Sequence, residues 1–165
     1  MAFSRRWSRL AGAPARTLMA FLSRRVPHQE YDGIRLVVAD SWLDPRAERF
    51  FARTEEALAA AASGAPRAYA ALRQDVEQIV LTLQTNAPPY QRFQLAAVVP
   101  VRVALEADIP QYAVWLLHTS ASMHGEDEAR ARSEEFLASL EPEQRADVST
   151  WLAEEHERSI GWKEV

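Results

Sequence analysis

The sequence predicts an all-α protein, an irregular antiparallel bundle of about six helices that follows a basic N-terminal arm. Three observations lead to this prediction. From residue 44 onward, apolar residues recur at intervals of three and four. Proline or glycine marks the boundaries between these segments, and the short connections favour antiparallel neighbours. A length of 165 residues, 48% of them hydrophobic, fits one helical domain over residues 31–165.

The arm, residues 1–30, is basic. It holds six arginines and one glutamate, a net charge of +5, so the rest of the chain carries −9 of the total of −4. It also carries the large apolar residues Phe3, Trp7, Leu10, Leu18, Phe21 and Leu22. This mixture resembles an interfacial amphipathic helix, interrupted at Gly12 and Pro14. The arm either folds back on its own domain or meets an anionic partner.

One short extended segment is predicted after the arm. Asp32-Gly33 is a turn signal, and the apolar run "IRLVV", residues 34–38, follows it. We expect a single strand without a sheet to join, either as an extended segment lying on the helices or as half of a pairing with a partner chain.

The first three helices are predicted from caps and periodicity. Asp44-Pro45 begins the first helix and Ser63-Gly64 ends it. Pro66 opens the second, whose apolar stripe continues to Leu83 before the sequence "NAPP" ends it. Residues 93–107 are apolar on nearly every side, which predicts a central helix that Pro100 kinks or breaks.

The last three helices follow from similar signals. One is expected from Pro110 to His124, with Gly125 as its stop. Acidic residues 126–128 then favour a helix start, and Phe136, Leu137 and Leu140 form that helix's inner face. The last helix begins at Pro142, with Glu141 as its cap and with Val148, Trp151 and Leu152 facing inward.

The stretch "WLLHTSASMHGEDE", residues 115–128, is the strongest candidate for chemistry. On one helix, His118 and His124 would point about 120° apart, unlike two ligands of one metal. The pattern favours a core histidine at 118 and a cation near the helix end at 124. If the protein were an enzyme, the first residues to test would be His118, His124, Glu126, Glu128 and His156.

The other signals for catalysis or cofactors are weak. The chain has no cysteine, which leaves no thiolate ligand or nucleophile and gives no reason to expect an oxidising compartment. The five glycines are too scattered for a phosphate loop, and no Glu-x-x-His pair of a di-metal helix bundle occurs. The adjacent carboxylates Glu134-Glu135 and Glu154-Glu155 are expected in solvent. We therefore expect no metal and no cofactor.

These observations favour a non-enzymatic helical protein that binds another protein, as an adaptor, accessory subunit, inhibitor or immunity-type neutraliser. The acidic body, the basic arm or both would form the contact, and a cytoplasmic location is expected. The candidate partner-binding residues are Arg5, Arg6, Trp7, Arg9, Arg24, Arg25 and Trp162. Two alternatives stay open: an enzyme whose histidines and carboxylates come together from distant positions, and a peripheral membrane or nucleic-acid binder that uses residues 3–25.

Overall fold

The computed structural model describes residues 27–40, 45–84 and 87–161, with side chains described to Arg158. It contains a five-stranded mixed sheet with helices, so the predicted all-α helical bundle is wrong. The strands are β1 (His28–Tyr31), β2 (Ile34–Val38), β3 (Gln78–Thr82), β4 (Tyr90–Gln91) and β5 (Ala96–Pro100). The α-helices are α1 (Ala47–Gly64), α2 (Pro66–Asp75), α3 (Ile109–Ser120), α4 (Glu126–Ala138) and α5 (Pro142–Gly161).

The strand order across the sheet is β1-β2-β3-β5-β4. The three central strands β2, β3 and β5 are parallel, whereas β1 and β4 pair antiparallel at the two edges. Asp32 and Gly33 both have positive φ, 49° and 81°. These are the dihedrals of a two-residue hairpin turn, for which Asp-Gly is a preferred sequence. The predicted turn is thus confirmed, but "IRLVV" is a central strand with two partners and not a lone segment.

The two other central strands were predicted as helices. Residues 78–82 lie in β3, and α2 ends at Asp75 instead of continuing to Leu83. Residues 96–100 form β5, so the predicted central helix over 93–107 is wrong; Pro100 is the last residue of a strand. Every residue of β3 is buried, because a central parallel strand is covered by its neighbours and by layers on its faces. In a continuous apolar run of this kind, polar and apolar residues do not alternate, so the sequence pattern cannot be distinguished from that of a buried helix.

The predicted helix boundaries agree better with the structure. α1 ends at Gly64, α2 begins at Pro66, α4 begins at Glu126 and α5 begins at Pro142. The helix predicted to end at His124 is α3, which stops at Ser120 and is followed by a 3₁₀ turn, Ser122–His124. Asp44 and Asn86 lie outside the described residues.

The main core lies between the helices and one face of the sheet. Side chains from β2, β3 and β5 on this face pack with buried residues of α1 to α5. Ile34, Leu36, Ile79, Leu81 and Val99 contribute from the sheet, and each is no more than 1% exposed. Fully buried Tyr112 of α3 shares a 2.7 Å hydrogen bond with Thr54 of α1, which satisfies both hydroxyls inside the core.

A five-residue π-helix, Arg102–Glu106, follows β5 directly. Two arginines of α1 cap its carbonyls: Arg49 donates to the Leu105 carbonyl at 2.7 Å, and Arg53 donates to the carbonyls of Ala104 and Ala107. These bonds join residues more than fifty positions apart in sequence and satisfy backbone acceptors at the end of a helix.

At the start of the π-helix, Arg102 donates from two guanidinium nitrogens to the carboxylate of Glu155 on α5, the shorter contact being 2.8 Å. Glu155 is 4% exposed, so the expectation that it lies in solvent is wrong. Its charge is accommodated because the arginine neutralises it. Glu135 of the other predicted pair accepts the backbone N–H groups of Arg67 and Ala68, at the start of α2.

Candidate interaction surface

The residues proposed for partner binding from the sequence, Arg5, Arg6, Trp7, Arg9, Arg24, Arg25 and Trp162, lie outside the described residues. The five residues proposed for an enzyme site are described, and they fall into two groups. His118, His156 and Glu126 meet in one group, which we call the histidine pair with Glu126. His124 and Glu128 belong to a second group built around Asp75.

In the histidine pair, the rings of His118 on α3 and His156 on α5 meet edge to face, with centroids 5.5 Å apart. The Nε2 atom of His156 lies 3.7 Å from a carboxylate oxygen of Glu126, the first residue of α4. Burial lowers the pKa of His118, and the nearby charge of His156 lowers it further, while Glu126 opposes this shift. Burial and the nearby His156 therefore favour the neutral form of the His118 imidazole in the folded protein.

Among the residues that the structure describes, no group of three or more histidine and carboxylate side chains could hold a metal ion. The edge-to-face contact of the two imidazoles is a packing arrangement between helices, in which aromatic edges meet ring faces.

The second group, which we call the Asp75 cluster, consists of Asp75, Tyr90, His124, Glu128 and Arg132. Asp75 is the last residue of α2, and its carboxylate accepts from Arg132 Nη1 at 2.7 Å and from His124 Nε2 at 3.0 Å. Arg132 also donates from Nε to Glu128 at 3.0 Å, one turn earlier on α4. The side chains of Arg132 and Asp75 are only 6% and 13% exposed. The cluster therefore ties the end of α2 to α4 through a buried ion pair.

Tyr90 connects the Asp75 cluster to the edge strand β4. Its hydroxyl donates to the backbone carbonyl of Asp75 at 2.6 Å. Burial raises the pKa of Tyr90, and the negative charge of Asp75 raises it further. The hydroxyl thus stays protonated and keeps its role as a donor at neutral pH.

The pairing of Asp75 with His124 has the form of a carboxylate that orients an imidazole, as in hydrolytic triads. A triad also requires a nucleophile within hydrogen-bond distance of the imidazole. In the described part of the chain, the hydrogen bond of His124 runs to Asp75 and none joins it to a hydroxyl. Among the described side chains, the geometry shows a carboxylate–imidazole pair without a nucleophile bonded to the imidazole.

Next to Tyr90, a short 3₁₀ turn, Arg92–Gln94, joins β4 to β5 and presents Phe93 to solvent. We call residues 92–95 the Phe93 turn. Phe93 is 85% exposed, and it is the large hydrophobic side chain that remains exposed among the described residues. Phenylalanine is among the residues most often buried, so a phenylalanine exposed to this extent is a candidate contact for a partner.

The backbone of the Phe93 turn is held in an uncommon conformation. Leu95 has φ 48° and ψ 46°, a left-handed conformation that is unfavourable for residues other than glycine. Its carbonyl accepts the N–H groups of Glu77 and Gln78 at 2.8 and 3.3 Å, and its own N–H donates to the Arg92 carbonyl at 3.3 Å. These bonds fix the turn against the start of β3. Strained backbone that its surroundings hold in place is common at functional sites.

Sequence reasoning missed both Phe93 and Asp75. Phe93 was assigned to the start of a buried central helix, and Asp75 to the middle of a longer one. The signal that could have found the turn is the sequence "NAPPYQRFQ", residues 86–94, whose two prolines precede a short polar and aromatic stretch. The contacts of Asp75 join residues 49 and 57 positions apart, which no local pattern reveals.

Within the described ranges, no helix has both the length and the apolar composition required to cross a membrane. Comparison with protein-family models, with curated proteins and with solved structures finds no match to this chain.

Proposed function

We propose that this chain is a non-enzymatic protein that binds a partner protein through the Phe93 turn. The observation that carries the proposal is the 85% exposure of Phe93 on a turn between the paired strands β4 and β5, where the Leu95 carbonyl accepts two N–H groups from residues 77 and 78. Aromatic side chains that enter a pocket on the partner are typical centres of interface energy. Because the turn is already ordered, little conformational entropy would be lost when it binds.

The surroundings of the turn indicate the chemistry of the partner. Through Tyr90, Asp75 and Arg132, the turn is connected to α4, whose first three residues, Glu126, Asp127 and Glu128, are exposed and acidic. The chain from residue 31 onward carries −9. A partner with an apolar pocket for Phe93 and a basic surface would match both features. Charge of this kind increases the encounter rate and specificity more than the affinity.

The experiment is affinity capture from the native host with full-length wild-type protein, a Phe93→Ala variant and a Glu143→Ala control. Glu143 is also exposed but lies in the first turn of α5. We expect one protein to bind stoichiometrically to the wild type and the control. Calorimetry with the purified partner should then show at least about 30-fold weaker binding for Phe93→Ala, since hot-spot truncation costs about 2 kcal/mol or more.

Phe93→Ala should leave the fold intact, because an exposed side chain contributes little to stability. Equal capture by Phe93→Ala and the wild type would refute the proposal. Failure of the wild type to retain any protein from its host would contradict it as well.

The second candidate function is an enzyme, and the Asp75–His124 pair is the observation that favours it. The nucleophile or substrate group would then approach the ring nitrogen of His124 that does not face Asp75. Activity screening with generic ester, amide and phosphate substrates tests this candidate. The enzyme function would be favoured over partner binding if the wild type hydrolyses a substrate and both His124→Ala and Asp75→Asn lose this activity while they retain the fold.

A further inference from the structure

The face of the sheet opposite the main core carries an apolar row whose buried cluster is separate from the core that the helices form. Residues paired across a sheet point to the same face, and the register aligns Val37, Val80 and Val98 on neighbouring strands. Val37 and Val80 form a cluster with Ala96 that contains no helix residue. The described helices pack on the other face. The three valines and Ala96 thus form a distinct surface, which we call the second face.

The second face is nevertheless buried. Val37, Val80 and Val98 are 4%, 8% and 6% exposed, and Ala96 is 0% exposed. Polar Gln78 and Thr82 on the same face are 7% and 6% exposed. Parallel sheets occur almost only with both faces covered, and the central strands β2, β3 and β5 are parallel. A covering layer is therefore required by the sheet type and by the burial of these side chains.

We propose that residues 1–26 of the same chain form this layer, by placing their apolar side chains on the second face. The chain outside the described residues consists of segments 1–26, 41–44, 85–86 and 162–165. The last three have two to four residues each. Only the first is long enough to extend over the row from Val37 to Val98 and the residues around it.

The position at which segment 1–26 joins the described chain allows it to reach the second face. The carbonyl of Pro27 accepts the N–H of Val38 at 3.1 Å, and His28 pairs with Val37. Pro27, which follows the segment directly, thus lies at the edge strand, one strand away from the start of the apolar row. The three strands that carry the row are about 10 Å apart from first to last. A helix of 26 residues would be about 39 Å long, so even two short helical pieces could cover the row.

The composition of segment 1–26 is also suitable. Phe3, Trp7 and Leu10 are spaced by four and three, and Leu18, Phe21 and Leu22 by three and one. Both spacings put apolar residues on one side of a helix. Arg5, Arg9, Arg16 and Arg24 fall at other positions and would face solvent. Arg6 and Arg25 fall beside the apolar residues, where their long side chains can still extend to water. The apolar side would supply the cover, and the basic side would form a new surface on an otherwise acidic protein.

Thiol labelling in the full-length chain tests this proposal, because the natural sequence has no cysteine. A Val80→Cys variant places one thiol on the second face. We expect slow labelling when segment 1–26 is unchanged, and labelling at least 10-fold faster when Leu18, Phe21 and Leu22 are all replaced by aspartate. An Ile79→Cys variant is the matched control, since the neighbouring residue faces the main core. Its labelling should stay slow with and without the aspartates.

If the triple substitution unfolds the protein, Ile79→Cys will also label fast. The milder Phe21→Ala variant then replaces it, and a smaller increase is expected at Val80→Cys alone. Fast labelling of Val80→Cys with the natural segment would show an open face and refute the proposal. Slow labelling that the segment substitutions do not change would assign the cover to another source and refute it too. If the protection of the Val80→Cys thiol decreases when the protein is diluted, the cover is a second copy of the chain, which would also refute the proposal.

Discussion

Replacement of Arg132 by methionine is expected to reduce the free energy of unfolding by about 3 kcal/mol. The side chains of Arg132 and Asp75 are 6% and 13% exposed, and Arg132 Nη1 lies 2.7 Å from the carboxylate of Asp75. Removal of one partner from a buried ion pair costs about 3–5 kcal/mol, because the other charge stays buried without compensation. Asp75 keeps its contact with His124, which places the expected loss at the lower end of this range.

The same substitution at Arg73 provides the control. Arg73 Nε lies 3.5 Å from Asp32, and the two side chains are 49% and 41% exposed. An ion pair exposed to this extent contributes at most about 1 kcal/mol, so Arg73→Met should cost less than about 1 kcal/mol.

Urea denaturation with linear extrapolation measures both losses. With a slope of about 2 kcal/mol per molar urea, the midpoint should decrease by about 1.5 M for Arg132→Met and by less than about 0.5 M for Arg73→Met. A double-mutant cycle with Asp75→Asn should show coupling of at least about 1.5 kcal/mol. Equal losses for the two arginine variants, or additive effects in the cycle, would refute the assignment of a stabilising buried pair.

Two further predictions concern a glycine and the histidine pair. Gly125 has φ 98° and ψ 169°, a conformation that is essentially restricted to glycine. Gly125→Ala should therefore cost about 2 kcal/mol, or roughly 6 °C in Tm, although a Cβ would meet no atom within 4 Å. Gly33→Asn, at φ 81° in the hairpin turn, should cost less than half as much, because asparagine tolerates that region; similar losses at both sites would count against a backbone origin. For His118, the folded state lowers the pKa from 6.5, so the folded protein binds the proton less well than the unfolded chain does. The free energy of unfolding should then decrease as pH falls below about 6.5, and His118→Gln should weaken this dependence in denaturation curves at pH 7.5 and 5.5; an unchanged dependence would contradict the role of His118.

The helix boundaries could be predicted from the sequence because their signals are local. Gly64 ends α1, and Pro66 and Pro142 begin α2 and α5, as the preferences of glycine and proline at helix ends require. The strands β3 and β5 could not be recognised in the same way. Their residues are buried on both faces, so polar and apolar positions do not alternate, and the partners that make them strands lie elsewhere in the sequence.

The candidate functional residues could also be predicted only in part, because their contacts join residues that are distant in the sequence. His118 and Glu126 were singled out by residue type, but their meeting with His156 depends on how α3, α4 and α5 pack. Phe93 is apolar and lies next to an apolar run, so a sequence pattern assigns it to the core. Its exposure follows from the turn between β4 and β5 and from the left-handed conformation of Leu95, which tertiary hydrogen bonds maintain.

The arginine bonds from α1 to the π-helix have a consequence for folding during synthesis. Arg49 and Arg53 leave the ribosome more than fifty residues before the carbonyls of residues 104, 105 and 107 that they bind. Strand β5, one of the two parallel partners of β3, is also synthesised late. A nascent chain that ends before residue 96 therefore lacks both a central strand and the acceptors for these two arginines. Folding of this domain should occur as one late event, because domains fold as units and long-range contacts form only when both ends of the loop are present.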